Sequence, residues 1–360
     1  VSHQAPNRVT NQLAHDVSMI LPYGDMPSRR PVDKPWLAGC LAQAESRVAR
    51  CRPPTCREDG RARTDDEPRV SEEEDAVDPL VSDALGDAQE HMSVEVVDGV
   101  ATVQLRRPDK HNAISFAMWN AFARLMPVLA DDDEVEVAVV RGTTGGPFSA
   151  GADIGEFRTL RAAADGARRY GEAVESGERA IIRFPKPTIA AIEGFAIGGG
   201  TQIAVACDLR VCGTDSRFGV TPAKLGIVYG LPSTERLVET VGATWARWIL
   251  LTADFIPAET ALRIGLVHEV VAPDAVLERA YAVAHTVASR AQVSLRGGKA
   301  MIHRVVTGRL EEDDEVRALL ETSWRSAEYA EGVSAFLAKR NADFPSARRS
   351  EHGPDATGDA

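Results

Sequence analysis

Long apolar runs are missing from this 360-residue chain. None approaches the roughly 18 residues that a membrane span needs, which excludes a helical membrane protein. The beginning, VSHQAPNRVTNQLAHDV, has no basic start followed by an apolar stretch, so no secretory signal is read there and a cytoplasmic location is expected. Cysteine is scarce: five residues, at spacings with no pairing pattern, do not make a disulfide framework and fit a reducing compartment. Positive charge is in deficit, with 41 Lys+Arg against 53 Asp+Glu and a net of −12, which argues against nucleic acid or an anionic membrane as partner. What is present is a 44% hydrophobic composition, enough for the core of one large domain or two ordinary ones.

The averages hide a seam near residue 91. Residues 1–90 hold 9 of the 20 prolines and three of the five cysteines, with 11 Lys+Arg against 17 Asp+Glu. Half of the net charge therefore belongs to this lead. It shows no sustained hydrophobic periodicity, so burial cannot offset its ordering entropy, and residues 1–91 are expected to be a disordered extension. Val1, together with Met92 standing just before the first strand, suggests an upstream segment read from a mis-assigned start. Cys40, Cys51 and Cys56 lack a CxxC pair and a fourth ligand at zinc spacing, and no metal site is expected.

From Met92 the pattern changes. VEVV and VATVQL alternate as strands around Asp98-Gly99, a type I′ hairpin signal. Ser115 is placed to cap a helix with Met118, Phe122, Leu125 and Leu129 at helical spacing. The spacing predicts a buried strand in EVAVVRG (136–142), and further strands in PTIAAIEG (187–194) and DLRVCG (208–213). After residue 232 the chain reads as mainly helical to about 340. Strands interleaved with helices in front, and helices behind, give an α/β class.

Two glycine clusters carry the first chemical signal. GFAIGGG (194–200) follows a strand and opens a helix, but it is not GxGxxG and has no suitably spaced acidic residue for a ribose. It offers free N–H groups at a helix N-terminus instead. FSAGADI (148–154) presents amides before another helix. Converging, the two loops would form a two-donor hole for an oxyanion; each alone is equally compatible with a tight turn.

In order, LRRPDKHNAIS, FSAGADIGEF, KPTIAAIEGFAIGGGTQIAVACDLRV, FGVTPAKLGIVYG, TADFIPAETALRIGLVHEVV and EGVSAFLAKR resemble the crotonase (enoyl-CoA hydratase/isomerase) family from about residue 93 to 344. The resemblance implies a spiral of ββα units over 92–290, a helical trimerisation region over 291–344 and a flexible tail over 345–360. It implies a homotrimer or dimer of trimers, to which the stripe Val316, Leu319, Leu320, Trp324 is suited. It also implies an acyl-CoA substrate, with no cofactor beyond the coenzyme A carried by that substrate. The oxyanion donors fall on the amides of Ala152 and Gly199. His111, Ala113, Ile114, Ala150, Asp153, Ile154 and Gly198 would border the acyl-CoA, and Phe336 and Lys339 match positions that approach a neighbouring subunit's nucleotide.

The departures from the family are informative. Its hydratases use two glutamates through one water; here Gln202 and Pro222 stand at those positions, and neither side chain exchanges a proton near neutral pH. Gln202, Thr221 and Tyr229 remain as candidate catalytic groups, with Pro222 lining the pocket. VTPAKLGIVYGL resembles the corresponding stretch of methylmalonyl-CoA decarboxylase, although Ala152 replaces a histidine there. Loss of CO2 produces the enolate without a base, and carboxylates beside the leaving group would repel it. A malonyl-type decarboxylase is the leading expectation. A hydratase or isomerase with another acid/base, and a silent acyl-CoA-binding protein, are the alternatives. Bland roles are expected for Asp153 as a turn residue, His268 at the surface, Lys224 and Glu235 in ion pairs, and Cys207 and Cys212 as inert core thiols.

Overall fold

The computed structural model describes residues 78–160 and 165–352, and regular structure is already present before Met92, where the sequence pattern begins. Asp78 accepts the Leu80 amide at 2.7 Å and caps α1 (Pro79–Leu85). Val81, Ala84, Leu85 and Ala88 are buried in the main core. Burial of Val81 and Leu85 is worth about 1.5–3 kcal/mol each, enough to order a helix that is too short to persist alone. Residues 78–91, expected within a disordered lead, are thus folded here, and residues 1–77 lie outside the described residues. Cys40, Cys51 and Cys56 lie outside the described residues.

Asp98 and Gly99 both take positive φ, 49° and 79°, and turn β1 (Met92–Val97) back on β2 (Val100–Leu105). Ser115 caps α2 (Phe116–Asp131), its Oγ accepting from Met118 N at 3.2 Å. β3 (Val137–Arg141), α3 (Ile154–Leu160), α4 (Gly166–Arg183), β4 (Thr188–Ile192), β5 (Phe195–Ile197), α5 (Gly199–Ala206), β6 (Leu209–Gly213) and β7 (Arg217–Gly219) follow. Next come α6 (Leu231–Thr252), β8 (Ile256–Pro257), α7 (Ala258–Arg263), β9 (Glu269–Val271) and α8 (Val276–Ala288). Then α9 (Gln292–Val306), α10 (Asp314–Arg325), α11 (Ala327–Ala338) and α12 (Phe344–His352) complete the chain described.

Strands β1, β2, β3, β4, β6 and β9 form a six-stranded sheet in that order, parallel except for the opening hairpin. Parallel neighbours require crossovers, which the intervening helices supply. Alternation sorts the side chains onto two faces. Val137, Val139, Ile189, Ala191 and Val211 meet Val276, Ala280 and Ala284 of α8. Ala138, Val140, Ala190 and Ile192 face the larger core, with Trp119, Phe122 and Leu125 of α2. A second small sheet, β5-β7-β8, is extended by bridges from Ser149 to Ala196 and from Ala152 to Ile114. It lines up the two glycine loops.

The end of the chain also departs from expectation. Residues 344–352 form a helix rather than a flexible tail, because Arg348 has charged partners: its Nε lies 2.8 Å from Glu136 Oε1, and it also pairs with Glu328. α6 is interrupted at Gly242, whose φ of 71° and ψ of 159° are non-helical. Among the described residues, no helix is long and apolar enough to cross a membrane.

Candidate active site

The glycine loops meet because glycine lets backbone touch backbone. Gly151 has φ 97°, and a Cβ there would lie 2.6 Å from the Ile197 carbonyl oxygen; one on Gly200 would lie 2.8 Å from Ser149. The contact brings the two expected donors together. A Cβ on Gly199 would lie 3.5 Å from the Ala152 nitrogen, and one on Gly151 3.4 Å from the Gly199 nitrogen. On either side of Ala152 the backbone is committed to Ile114: Ile114 N donates to Gly151 O at 2.7 Å, and Asp153 N to Ile114 O at 2.9 Å. The Ala152 N–H therefore turns the other way. Gly199 begins α5, where an N–H has no acceptor within the helix, and Gly198 N is already used by Gly219 O at 2.7 Å. Two neighbouring amides with no backbone acceptor are what an oxyanion requires.

A buried ion pair holds this loop. Arg107 donates to Asp153 Oδ2 at 2.8 Å and to Ala113 O at 2.7 Å, and Gly155 N donates to Asp153 Oδ1 at 3.0 Å. Burial would raise the Asp153 carboxyl. The Arg107 hydrogen bond and charge, the Gly155 amide and Lys110 outweigh it and hold the group below the usual carboxylate range. Asp153 thus spends its oxygens on the loop itself, in the turn role anticipated for it, rather than on a ligand. Ile114, expected to border the substrate, is fully buried in the core and serves through its backbone bridge. His111 is exposed, in the left-handed region at φ 49°, and its carbonyl accepts from Ala150 N at 2.9 Å. Ala113 is buried, and Ile154 is exposed at the first residue of α3.

The second half of the site contains what the sequence did not announce. Gln202, three residues into α5 from Gly199, is 9% exposed and donates through Nε2 to Ser233 Oγ at 2.7 Å. Ser233, in the first turn of α6, donates to Glu178 Oε2 at 2.5 Å. Glu178 comes from α4 and is 1% exposed. Burial pushes its carboxyl up to about 7, against the pull of the Ser233 hydrogen bond, the Arg236 charge and the Gln202 hydrogen bond. The Tyr229 hydroxyl lies buried beside Ser233 and Glu178; desolvation, then the Glu178 charge, push it well above the ordinary phenol value. Glu178 Oε1 and Tyr229 Oη are both buried without a hydrogen-bond partner, as is Trp119 Nε1. The Trp119 ring edge approaches the oxyanion loop, its Cζ2 standing 3.1 Å from a Cβ built on Gly199.

Gln202 and Pro222 stand where the two glutamates are expected, yet Gln202 shares with a buried carboxyl group, Glu178, the hydroxyl of Ser233. Glu178 reaches it because Gly177 permits α4 to ride against α2: a Cβ at Gly177 would lie 2.6 Å from the Trp119 carbonyl oxygen. The available signal was a glutamate on an apolar stripe, with Tyr170 and Val174 before it and Ile181 after it. Thr221 and Pro222 are half-buried and follow Gly219, whose carbonyl accepts from both Gly198 N and Thr201 Oγ1. Phe336 and Lys339 are exposed on the C-terminal helices. Phe336 lines a separate cavity of about 430 Å³ with Tyr329, Val333 and Phe344, so the chain alone does not bring it to the amides.

The remaining residues behave mostly as expected. Cys207 and Cys212 are buried free thiols pushed up to about 12 by burial. His268 is exposed, and its Nδ1 accepts from Arg210 N at 3.2 Å. Lys224 Nζ stands 5.0 Å over the Phe255 ring rather than against a carboxylate.

A ββα spiral with two converging amide loops defines a class, and comparison with known proteins agrees. The chain belongs to the enoyl-CoA hydratase/isomerase family, whose model matches residues 95–347. Its fold is the crotonase-like spiral with a helical C-terminal region. It is 33% identical over 258 residues to a crotonyl-CoA hydratase from Syntrophomonas wolfei subsp. wolfei, covering 71% of this chain and 98% of the relative. To a 2,3-dehydroadipyl-CoA hydratase from Escherichia coli it is 31% identical, covering 68% and 94%. A crystal structure of an enoyl-CoA hydratase/isomerase family protein from Hyphomonas neptunium superposes with a TM-score of 0.68 at 37% identity, covering 71% of this chain and 97% of that one.

Proposed function

We propose that this chain acts on a CoA thioester of the malonyl type, releasing CO2 and passing through a thioester enolate. The observation that carries the reading is the pairing of two unclaimed amides, Ala152 and Gly199, with a single buried carboxyl group, Glu178, joined through Ser233 to Gln202 on the helix that Gly199 opens, instead of a glutamate pair. Syn-addition of water needs one group to activate water and another to protonate carbon; decarboxylation needs a proton donor alone. In the proposed step, the bond between the α-carbon and the carboxylate breaks, its electron pair enters the enolate, and the two amides hold the oxyanion. One such donor is typically worth about 2.7–4 kcal/mol. Burial keeps Glu178 largely neutral below about pH 7, so it does not repel the substrate carboxylate there.

In this reading His111, Ala113 and Ala150 to Ile154 run along the acyl-CoA, Thr221 and Pro222 wall the acyl end, and Phe336 and Lys339 serve the nucleotide of a neighbouring subunit. A homotrimer or dimer of trimers follows. Hydration is the second reading, favoured by the hydratase names of the relatives. Crotonyl-CoA, methylmalonyl-CoA and malonyl-CoA, offered in parallel with both hydration and CO2 release followed, separate the two. Release of CO2 from either malonyl-type substrate is the expected result. Hydration of crotonyl-CoA with no CO2 from the others would replace this reading with the second, and binding without turnover would leave a silent acyl-CoA binder.

A further inference from the structure

We infer that Glu178, acting through Ser233 and Tyr229, is the proton store that returns a hydrogen to the α-carbon of the enolate. The inference rests on the enolate reading above and adds to it a residue outside both positions where the family resemblance placed its glutamates. Three observations carry it. Glu178 arrives from α4, and its Oε2 is bonded to Ser233, which Gln202 fixes from the oxyanion helix. Its other oxygen, Oε1, is buried without a partner, and so is the Tyr229 hydroxyl beside it. A structural carboxylate would be expected to satisfy both oxygens, as Asp153 does in the neighbouring loop.

After CO2 leaves, the Tyr229 O–H bond breaks and a C–H bond forms at the α-carbon, quenching the enolate. The Ser233 hydroxyl, which donates to Glu178 Oε2 at rest, turns toward Tyr229; the phenolate takes its proton as Ser233 takes one from Glu178. The Glu178 carboxylate is then reprotonated from water. One proton is consumed per CO2 released, and no oxidant or reductant is needed. Tyr229 is the catalytic residue of this sequence, and Glu178 and Ser233 are positioning residues behind it.

The charged and titratable groups facing Glu178 are Arg236 and Tyr229 from the α6 side and Glu175 from its own helix. Arg236 favours the ionised form, while burial and Glu175 favour the neutral one, and the carboxyl is pushed up to about 7. The acid form is the competent one, so turnover is expected to fall about tenfold per pH unit above 7.

The test uses the full chain, with Glu178→Gln and Ser233→Ala, and two readouts. One is CO2 release from methylmalonyl-CoA across pH 5.5–9. The other is exchange of α-hydrogen of propionyl-CoA for deuterium, which reports enolate protonation independently of decarboxylation. Both variants are expected to lose about 10²-fold or more in either readout, and Glu178→Gln to leave a residual rate that is flat through pH 7. Exchange without CO2 release, abolished in Glu178→Gln, would sustain the relay while removing the decarboxylase reading. A wild-type rate and pH profile in a folded Glu178→Gln or Ser233→Ala would overturn the relay and leave decarboxylation standing. Absence of both activities in the wild type would overturn both.

Discussion

The two halves of the site are built from different material. The glycine-loop half is backbone: Ala152 and Gly199 present N–H groups with no backbone acceptor, and glycine at 151 and 200 lets the two loops touch. The other half is side chain: Gln202, Ser233, Glu178 and Tyr229 arrive from three stretches of the chain and meet beneath the surface. Backbone sites depend on a local conformation, so they leave a local mark in the sequence. Side-chain sites depend on tertiary contact, and the same chemistry can be delivered from another helix. On the proposed reading, Gln202 and Pro222 mark a change of supplier as much as a loss of function.

The largest test of the contrast is Gly199→Pro. It removes one donor at a first helical position, where proline's fixed φ is accepted, while its ring must displace the Trp119 edge that stands 3.1 Å from a Cβ built there. Loss of about 10²–10³-fold in turnover is expected, with the far-ultraviolet circular dichroism kept. Activity within a few-fold of wild type would mean that Gly199 is not a donor.

The buried carboxyl of the other half shows in stability. Glu178 binds its proton more tightly folded than unfolded, with its value raised from 4.5 to about 7. The stabilisation it contributes is present below the unfolded value and fades as pH climbs towards 7. Glu178→Gln lacks this dependence, so its stability relative to wild type is expected to rise by on the order of 2–3 kcal/mol between pH 4.5 and 7.5, then level off. Denaturant midpoints across that range measure it, and a constant difference would place the carboxyl in water.

The smallest effect belongs to the shared support. Ser115 caps the helix that carries Trp119, whose ring edge borders Gly199. Ser115→Ala is expected to lower stability by about 1 kcal/mol with turnover changed less than threefold, read by thermal unfolding and steady-state rates. A large drop in turnover at unchanged stability would tie Trp119 directly to the chemistry.

This contrast also explains what was legible in advance. The Asp98-Gly99 turn, the Ser115 cap and the parallel strands are local patterns, and they stand where spacing put them. So do the two amide loops. Glu178 was one acidic residue among several on an amphipathic helix, and nothing local ties it to Ser233, 55 positions away. Ile114 had the right loop and the wrong depth. α1 and α12 escaped because each is short, one held by three buried residues and the other through Arg348. Neither carries a period long enough to read.

The break at Gly242 divides labour along α6. Its first half, held by the buried Ser233, Leu237 and Val241, keeps the hydroxyl that joins Gln202 to Glu178. Its second half turns Trp248 and Leu251 outward, 58% and 79% exposed. An unbroken helix would carry a push on Trp248 as a stiff rod to Ser233, 15 residues and about 22 Å away at 1.5 Å per residue. A swivel at Gly242 absorbs that push in one pair of backbone angles. The outer face is thereby mechanically insulated from a hydrogen-bonded chain whose working tolerance is a few tenths of an ångström.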